Sequence, residues 1–212
     1  MRDFDAVIFD LDGVICFTDE YHYQAWKAMA DGLGVYFDRK INNRLRGVSR
    51  MASLEIVLEN YRGTLSSAEK EALADQKNEL YKKLLAQMSP ADLSGEVRDT
   101  LEELRRRGYL LAIGSSSKNA PFILRQIGLE GFFDAVSDGN NITRSKPDPE
   151  VFLKAAAFLG LSPSVCAVVE DAVAGIDAAN AGGFLSIGIG DAAGYSRTDR
   201  PIRALSELLQ MV

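Results

Sequence analysis

The sequence predicts a doubly wound parallel α/β sheet with a helical unit inserted after its first strand, and three observations carry that prediction. Five short, uncharged and mostly apolar runs recur along the 212 residues, as expected of strands buried on both faces. Four of them lie in the second half of the chain, separated by amphipathic helical patterns, the texture of a parallel sheet with crossover helices. Between the first run and the rest, over residues 19–88, every apolar pattern has helical spacing.

The elements follow in order. "AVIFD" is the first strand, with Val7, Ile8 and Phe9 β-branched or aromatic and uncharged. Asp19 is a suitable N-cap for the helix that follows, and Gly34 a suitable terminator. His22, Trp26, Met29 and Leu33 share one face of that helix. "SRMASLEIVLENY" offers a second stripe in Leu54, Val57, Leu58 and Tyr61. Ser66 and Glu69 form a capping-box pattern at the head of a third helix, whose stripe is Leu73, Leu80, Tyr81, Leu84 and Met88. Beyond it, "EVRDTLEELRRR" closes on Gly108, and the strand "YLLAIG" follows. Next come the helix "APFILRQIG", a brief strand at Ala135–Val136, the helix "PEVFLKAAAFLG", the strand "VCAVV", the helix "AVAGIDAANAG" and the strand "FLSIGIG". "AVIFD" joins the same sheet. Residues 1–16 and 89–212 are therefore expected to form one core domain and residues 17–88 a helical cap. A chain of this length is large enough for such a core with a smaller companion.

Composition narrows the function classes. The net charge is −6 with no basic stripe, which disfavours a nucleic-acid partner. Arg105–Arg107 read as the solvated last turn of a helix, where cations suit the dipole. No apolar run approaches the roughly 20 residues of a membrane span, and the N-terminus lacks a signal-peptide pattern. Cys16 and Cys166 are too few for a disulfide framework and too far apart in sequence for a metal pair. A cytoplasmic protein with reduced thiols is expected.

In sheets of this kind reactive groups gather beyond the carboxyl ends of the strands, and the polar residues there form a coherent set. "AVIFDLDG" ends in Asp10 and Asp12, two apart and so able to face the same side. "LLAIG" runs into Ser115, Ser116, Lys118 and Asn119; "SKPDP" carries Lys146; "VCAVV" runs into Glu170 and Asp171. Singly, each has a plain structural use: Asp and Gly as turn formers, the serines as caps, Lys146 solvated, Glu170 and Asp171 capping the next helix. Together they converge on one edge. Two carboxylates about 4 Å apart repel by about 4 kcal/mol at an effective dielectric of about 20, so three need a cation. Oxygen donors without a histidine cluster or thiol pair suit Mg²⁺. A magnesium site beside a serine hydroxyl, backbone amides and a lysine suits a phosphate, which points to phosphoryl transfer.

In this order, "FDLDGVI", "GSSSKN", "SKPDP" and "VEDAVAGI" resemble the four signature segments of the haloacid dehalogenase superfamily, over essentially the whole chain and including a helical cap after the first strand. The resemblance implies that superfamily's Rossmann-like fold and its covalent mechanism. Asp10 would be the nucleophile that becomes an aspartyl phosphate, and Asp12 the general acid/base. The metal ligands would be the Asp10 carboxylate, the Asp12 backbone carbonyl, Glu170 and Asp171. Ser115, the Ser116 amide and Lys146 would hold the transferring phosphoryl group.

Within the superfamily, "TDEYHYQAWKAM", "RGVSRMASLE", "QKNELY", "SPADL" and "SKNAPF" are similar to segments of members that move a phosphoryl group between two positions of a sugar. This implies a mutase interconverting β-glucose 1-phosphate and glucose 6-phosphate through the 1,6-bisphosphate, with a sugar-phosphate phosphatase as the alternative. A non-catalytic binding domain on the same sheet would need no nucleophile paired with a proton shuttle. In the cap, Thr18 would sit at the hinge and His22 would steer Asp12. Arg50, in a segment that includes Gly47, would hold the non-transferring phosphate. Ser53, Lys77, Lys118 and Asn119 would line the sugar and its distal phosphate, and Trp26 reads as core packing or as a wall of the pocket. A small sugar phosphate is the expected partner and a monomer the expected state. Three departures stand out: Phe17 where relatives often carry an acid, Ser116 where alanine is common, and a tail after Gly190 that follows the pattern loosely.

Overall fold

A computed structural model describes residues 3–211. Six parallel strands form one sheet in the order β3-β2-β1-β4-β5-β6. They are β1 (Ala6–Phe9), β2 (Leu110–Gly114), β3 (Ala135–Ser137), β4 (Cys166–Glu170), β5 (Leu185–Gly188) and β6 (Arg200–Pro201). The first five match the apolar runs. The sixth is an exposed edge of two residues, Arg-Pro, with no apolar signature to announce it. β1 lies at the centre, with Ala6 paired to both Leu110 and Cys166.

Its side chains alternate between two cores. Val7 and Phe9 join one apolar cluster with Leu101, Leu111 and Val169, while Ala6 and Ile8 join the other with Phe152, Val168 and Ala178. Period-two alternation with both faces apolar is what a doubly wound sheet requires. The covering helices are α5 (Gly95–Arg106), α6 (Ala120–Gln126), α7 (Glu150–Leu159) and α8 (Val173–Ala181). Arg105 to Arg107 close α5 as expected and are ion-paired to Asp134 and Glu103.

Between β1 and α5 the described residues form no strand, only an isolated bridge between Asp12 and Cys16. The helices there are α1 (Asp19–Gly32), α2 (Arg39–Asn43), α3 (Arg50–Val57) and α4 (Ser67–Leu85). Trp26, Met29, Leu54, Val57 and Ala74 pack into an apolar cluster of their own. The capping box of Ser66 and Glu69 is formed, and Gly34 takes a left-handed φ of +66° just past α1. Asp19 is not the N-cap of α1. That position belongs to Thr18, whose side chain makes no cap hydrogen bond because its hydroxyl is turned toward Asp12.

Candidate active site

The site lies at the carboxyl ends of β1, β2 and β4, beneath α1, α3 and α4. A cleft of about 740 Å³ opens there. Asp10, Asp12, Thr18, His22, Trp26, Gly47, Arg50, Ser53, Lys77, Ser115, Ser116, Lys118, Asn119, Glu170 and Asp171 all line it. Lys146 does not. Its side chain is wholly buried beneath the cleft floor, where the ammonium donates to Asp10 and, at 2.5 Å, to Glu170.

The glycine after the two aspartates has a geometric reason. Gly13 adopts φ +98°, and a Cβ on it would collide with the Asp171 carboxylate. The turn after β1 is thus shaped to let the acid of β4 lie against it, which brings Asp10, Asp12 and Asp171 to one place.

Charge is out of balance on this floor. Burial alone would lower the Lys146 ammonium, but Asp10 and Glu170 outweigh it and hold the group above its usual range. Burial, reinforced by Glu170 and Asp10, pushes the Asp171 carboxyl up to about 8, and burial also raises Glu170. With one lysine facing three acids, Asp171 is left, among the described residues, with the Arg46 guanidinium at 3.8 Å. The family to which the motifs point works with a divalent metal ion. Among the described residues no three side chains stand in a ready-made coordination cluster, since Asp10 and Glu170 are turned to Lys146. The donor set nevertheless fits a hard divalent ion: all oxygen, converging, and short of positive charge.

The opposite wall controls Asp12. Burial and the neighbouring Asp10 push its carboxyl up to about 7, against the opposing effect of the Thr18 hydrogen bond. Behind Thr18, Lys77 Nζ lies 3.1 Å from His22 Nδ1. It also stands 4.7 Å from the Trp26 ring centroid and 4.3 Å from that of Tyr81. Burial, then the Arg50 charge, lowers Lys77 to about 7; burial, then Lys77 and Arg50, depresses His22 well below its usual range. When Lys77 is charged it can only donate, so His22 then accepts at Nδ1 and carries its proton on Nε2. Trp26 proves to be both packing and wall, buried to 2% while lining the cleft.

Several functional contacts had no signal in the pattern. The Ser116 hydroxyl donates to the Gly47 carbonyl at 3.1 Å, so the residue that departs from the common alanine ties the loop after β2 to the segment before α3. Asn78 on α4 accepts from Asn119 at 3.0 Å, a second such tie. Tyr81 stacks 4.1 Å from His22. Arg46 contacts Asp19, Asp171 and Asp191. Asn78 was detectable only as a polar residue on the inner face of its helix; Arg46 and Asp191 are far apart in sequence and look like surface charges.

A carboxylate pair after the central strand, an acid pair after its neighbour and a lysine between them define a phosphoryl-transfer site on a doubly wound sheet. The chain belongs to the haloacid dehalogenase-like hydrolase family, whose model matches residues 4–183. It is 41% identical to the beta-phosphoglucomutase of Bacillus subtilis over 205 residues, 96% of this chain and 91% of that one. It is 31% identical to the fructose-1-phosphate phosphatase of Escherichia coli over 87% of this chain and 95% of that one. Among solved structures, the beta-phosphoglucomutase of Clostridium difficile superposes with a TM-score of 0.91 at 35% identity, covering 97% of this chain and 93% of that chain.

Proposed function

We propose that the chain is a phosphosugar mutase that interconverts β-glucose 1-phosphate and glucose 6-phosphate through an aspartyl phosphate and β-glucose 1,6-bisphosphate. The observation that carries this reading is the hydrogen bond from Thr18, at the head of α1, to Asp12. It couples the acid/base to the hinge of residues 17–88, which we take as a closing cap on a core of residues 1–16 and 89–212. A mutase must protect its phosphoenzyme from water, and a proton shuttle aligned only when the cap closes over a sugar does so.

In this reading Asp10 attacks phosphorus and Asp12 protonates the leaving sugar oxygen. The phosphoenzyme then meets β-glucose 1-phosphate: Asp12 takes the proton of the 6-hydroxyl as that oxygen takes the phosphoryl group from Asp10, and the bisphosphate so formed turns round and yields its 1-phosphoryl group to Asp10, leaving as glucose 6-phosphate. Ser115, the Ser116 amide and Lys146 hold the equatorial charge, Lys146 from below through Asp10. Arg50 at the head of α3 clamps the distal phosphate, with Ser53, Lys77, Lys118 and Asn119 around the sugar. His22, held by Lys77, steers Asp12. Asp10, the Asp12 carbonyl, Glu170 and Asp171 would hold Mg²⁺, which when bound would offset the charge of these acids and of the phosphoryl group. The reading makes the protein a cytoplasmic monomer.

The competing phosphatase reading shares the core and differs in closure. With Mg²⁺ and catalytic β-glucose 1,6-bisphosphate, glucose 6-phosphate is expected to form from β-glucose 1-phosphate much faster than free phosphate appears. Phosphate release outpacing glucose 6-phosphate would establish a phosphatase instead.

A further inference from the structure

We propose that Arg46 is a positioning residue that latches the segment 44–49 over the phosphoryl site, with Asp191 of the core as its fixed partner. Arg46 lies between α2 and α3. Its guanidinium reaches Asp191, just beyond β5, at 3.1 Å and Asp19, the first residue of α1, at 3.3 Å. A planar fork of five donors bridges two carboxylates in this way, where an ammonium would have to choose.

The next residue shows what the bridge holds in place. Gly47 has a left-handed φ of +74°, and a Cβ there would stand 3.6 Å from the Ala174 Cβ and 3.9 Å from that of Ala172. The backbone of the segment therefore rests on the core at the head of α8. The Ser116 hydroxyl grips the Gly47 carbonyl from the other side of the cleft. Three residues further on is Arg50. Arg46 also stands 3.8 Å from Asp171, but its two shorter contacts are the ones that fix where Gly47 and Arg50 sit. Asp191, three-quarters exposed, makes no other ion pair among the described residues, which suits a surface catch that forms on closure and lets go on opening. An exposed pair of this kind shifts a two-state ratio by about two- to fivefold and is screened by salt.

The latch rests on the reading of residues 17–88 as a closing cap, so its test reads closure without turnover. Small-angle scattering of the ligand-free protein at low salt is expected to show a larger radius of gyration for Asp191→Asn and for Arg46→Gln. The double variant should be no larger than Arg46→Gln alone, Arg46→Lys should fall between, and 1 M NaCl should bring the unmodified protein to the Asp191→Asn value. Curves for Asp191→Asn that superpose on the unmodified protein, or additive effects in the double variant, would overturn the latch. In turnover, Asp191→Asn should raise KM for β-glucose 1-phosphate about two- to fivefold while loading by acetyl phosphate, which needs only the core, is unchanged. An equal loss in both reactions would also overturn it. If β-glucose 1-phosphate is not a substrate at all, the mutase reading fails and the scattering result still decides the latch.

Discussion

Replacing Lys77 by methionine should make the protein more stable and less active at once. Lys77 is 3% exposed and its pKa falls from 10.5 to about 7. The folded state thus holds the proton more weakly than the unfolded chain does, so the charged form opposes folding. Below about pH 7 the whole cost is present, and it fades as the pH rises toward 10.5. A shift of this size corresponds to about 4–5 kcal/mol. Methionine fills the same channel without a charge but forfeits the contacts with Trp26 and Tyr81, together about 1–2 kcal/mol. The expected net gain in urea unfolding at pH 6.5 is about 2–4 kcal/mol, shrinking by about 2–3 kcal/mol at pH 9. Phosphosugar turnover should drop steeply, because His22 loses the donor that fixes its tautomer. A methionine variant less stable than the unmodified protein by the same margin at both pH values would refute the assignment of a strained, functional lysine.

Four further variants test the floor and the distal site. Asp10→Asn should abolish phosphoryl transfer in a folded protein, while Asp171→Asn weakens Mg²⁺ binding by calorimetry and leaves the circular dichroism spectrum unchanged; retained turnover in Asp10→Asn would exclude the covalent route. Gly13→Ala should weaken Mg²⁺ binding much as Asp171→Asn does, since the added methyl displaces the same carboxylate, and should cost about 1–2 kcal/mol of stability from its left-handed backbone. Arg50→Ala, which removes a guanidinium paired with exposed Asp75 at 3.5 Å, should slow a phosphosugar by a few orders of magnitude, from the roughly 2–5 kcal/mol of a desolvated charge pair, yet spare acetyl phosphate; equal losses would make Arg50 structural.

How far the sequence could be read depended on how local each feature is. The five buried strands announced themselves because a strand covered on both faces must be apolar throughout. The floor acids were legible because strand ends place Asp10, Asp12, Glu170 and Asp171 by topology alone. Contacts between distant surface residues left no such trace: nothing periodic links Arg46 to Asp191, or Ser116 to Gly47. Lys146 was placed at the correct edge, but its depth depends on the packing of β1 against β4, and that set it beneath the cleft. Asp19 looked like a cap because aspartate is a favoured N-cap residue, but the N-cap lies one residue earlier, at Thr18, whose hydroxyl is turned to Asp12.

The position of β1 governs the order in which the molecule can assemble. The first strand synthesised is the central one, and its partners Leu110 and Cys166 leave the ribosome only after the whole helical insertion and, for β4, most of the chain. Helices α1 and α4, which pack on each other, lie nearer in sequence than β1 and β2 and can form while β1 is still waiting. The sheet, by contrast, is built from contacts of long sequence separation, which fold slowly. Until β2 arrives, the apolar segment Ala6–Phe9 has both edges unpaired, the condition under which nascent chains associate wrongly. Circular permutants that start the chain at α5 would deliver β2 and β4 ahead of β1, and their refolding rates would report how much of the barrier is the wait for that central strand.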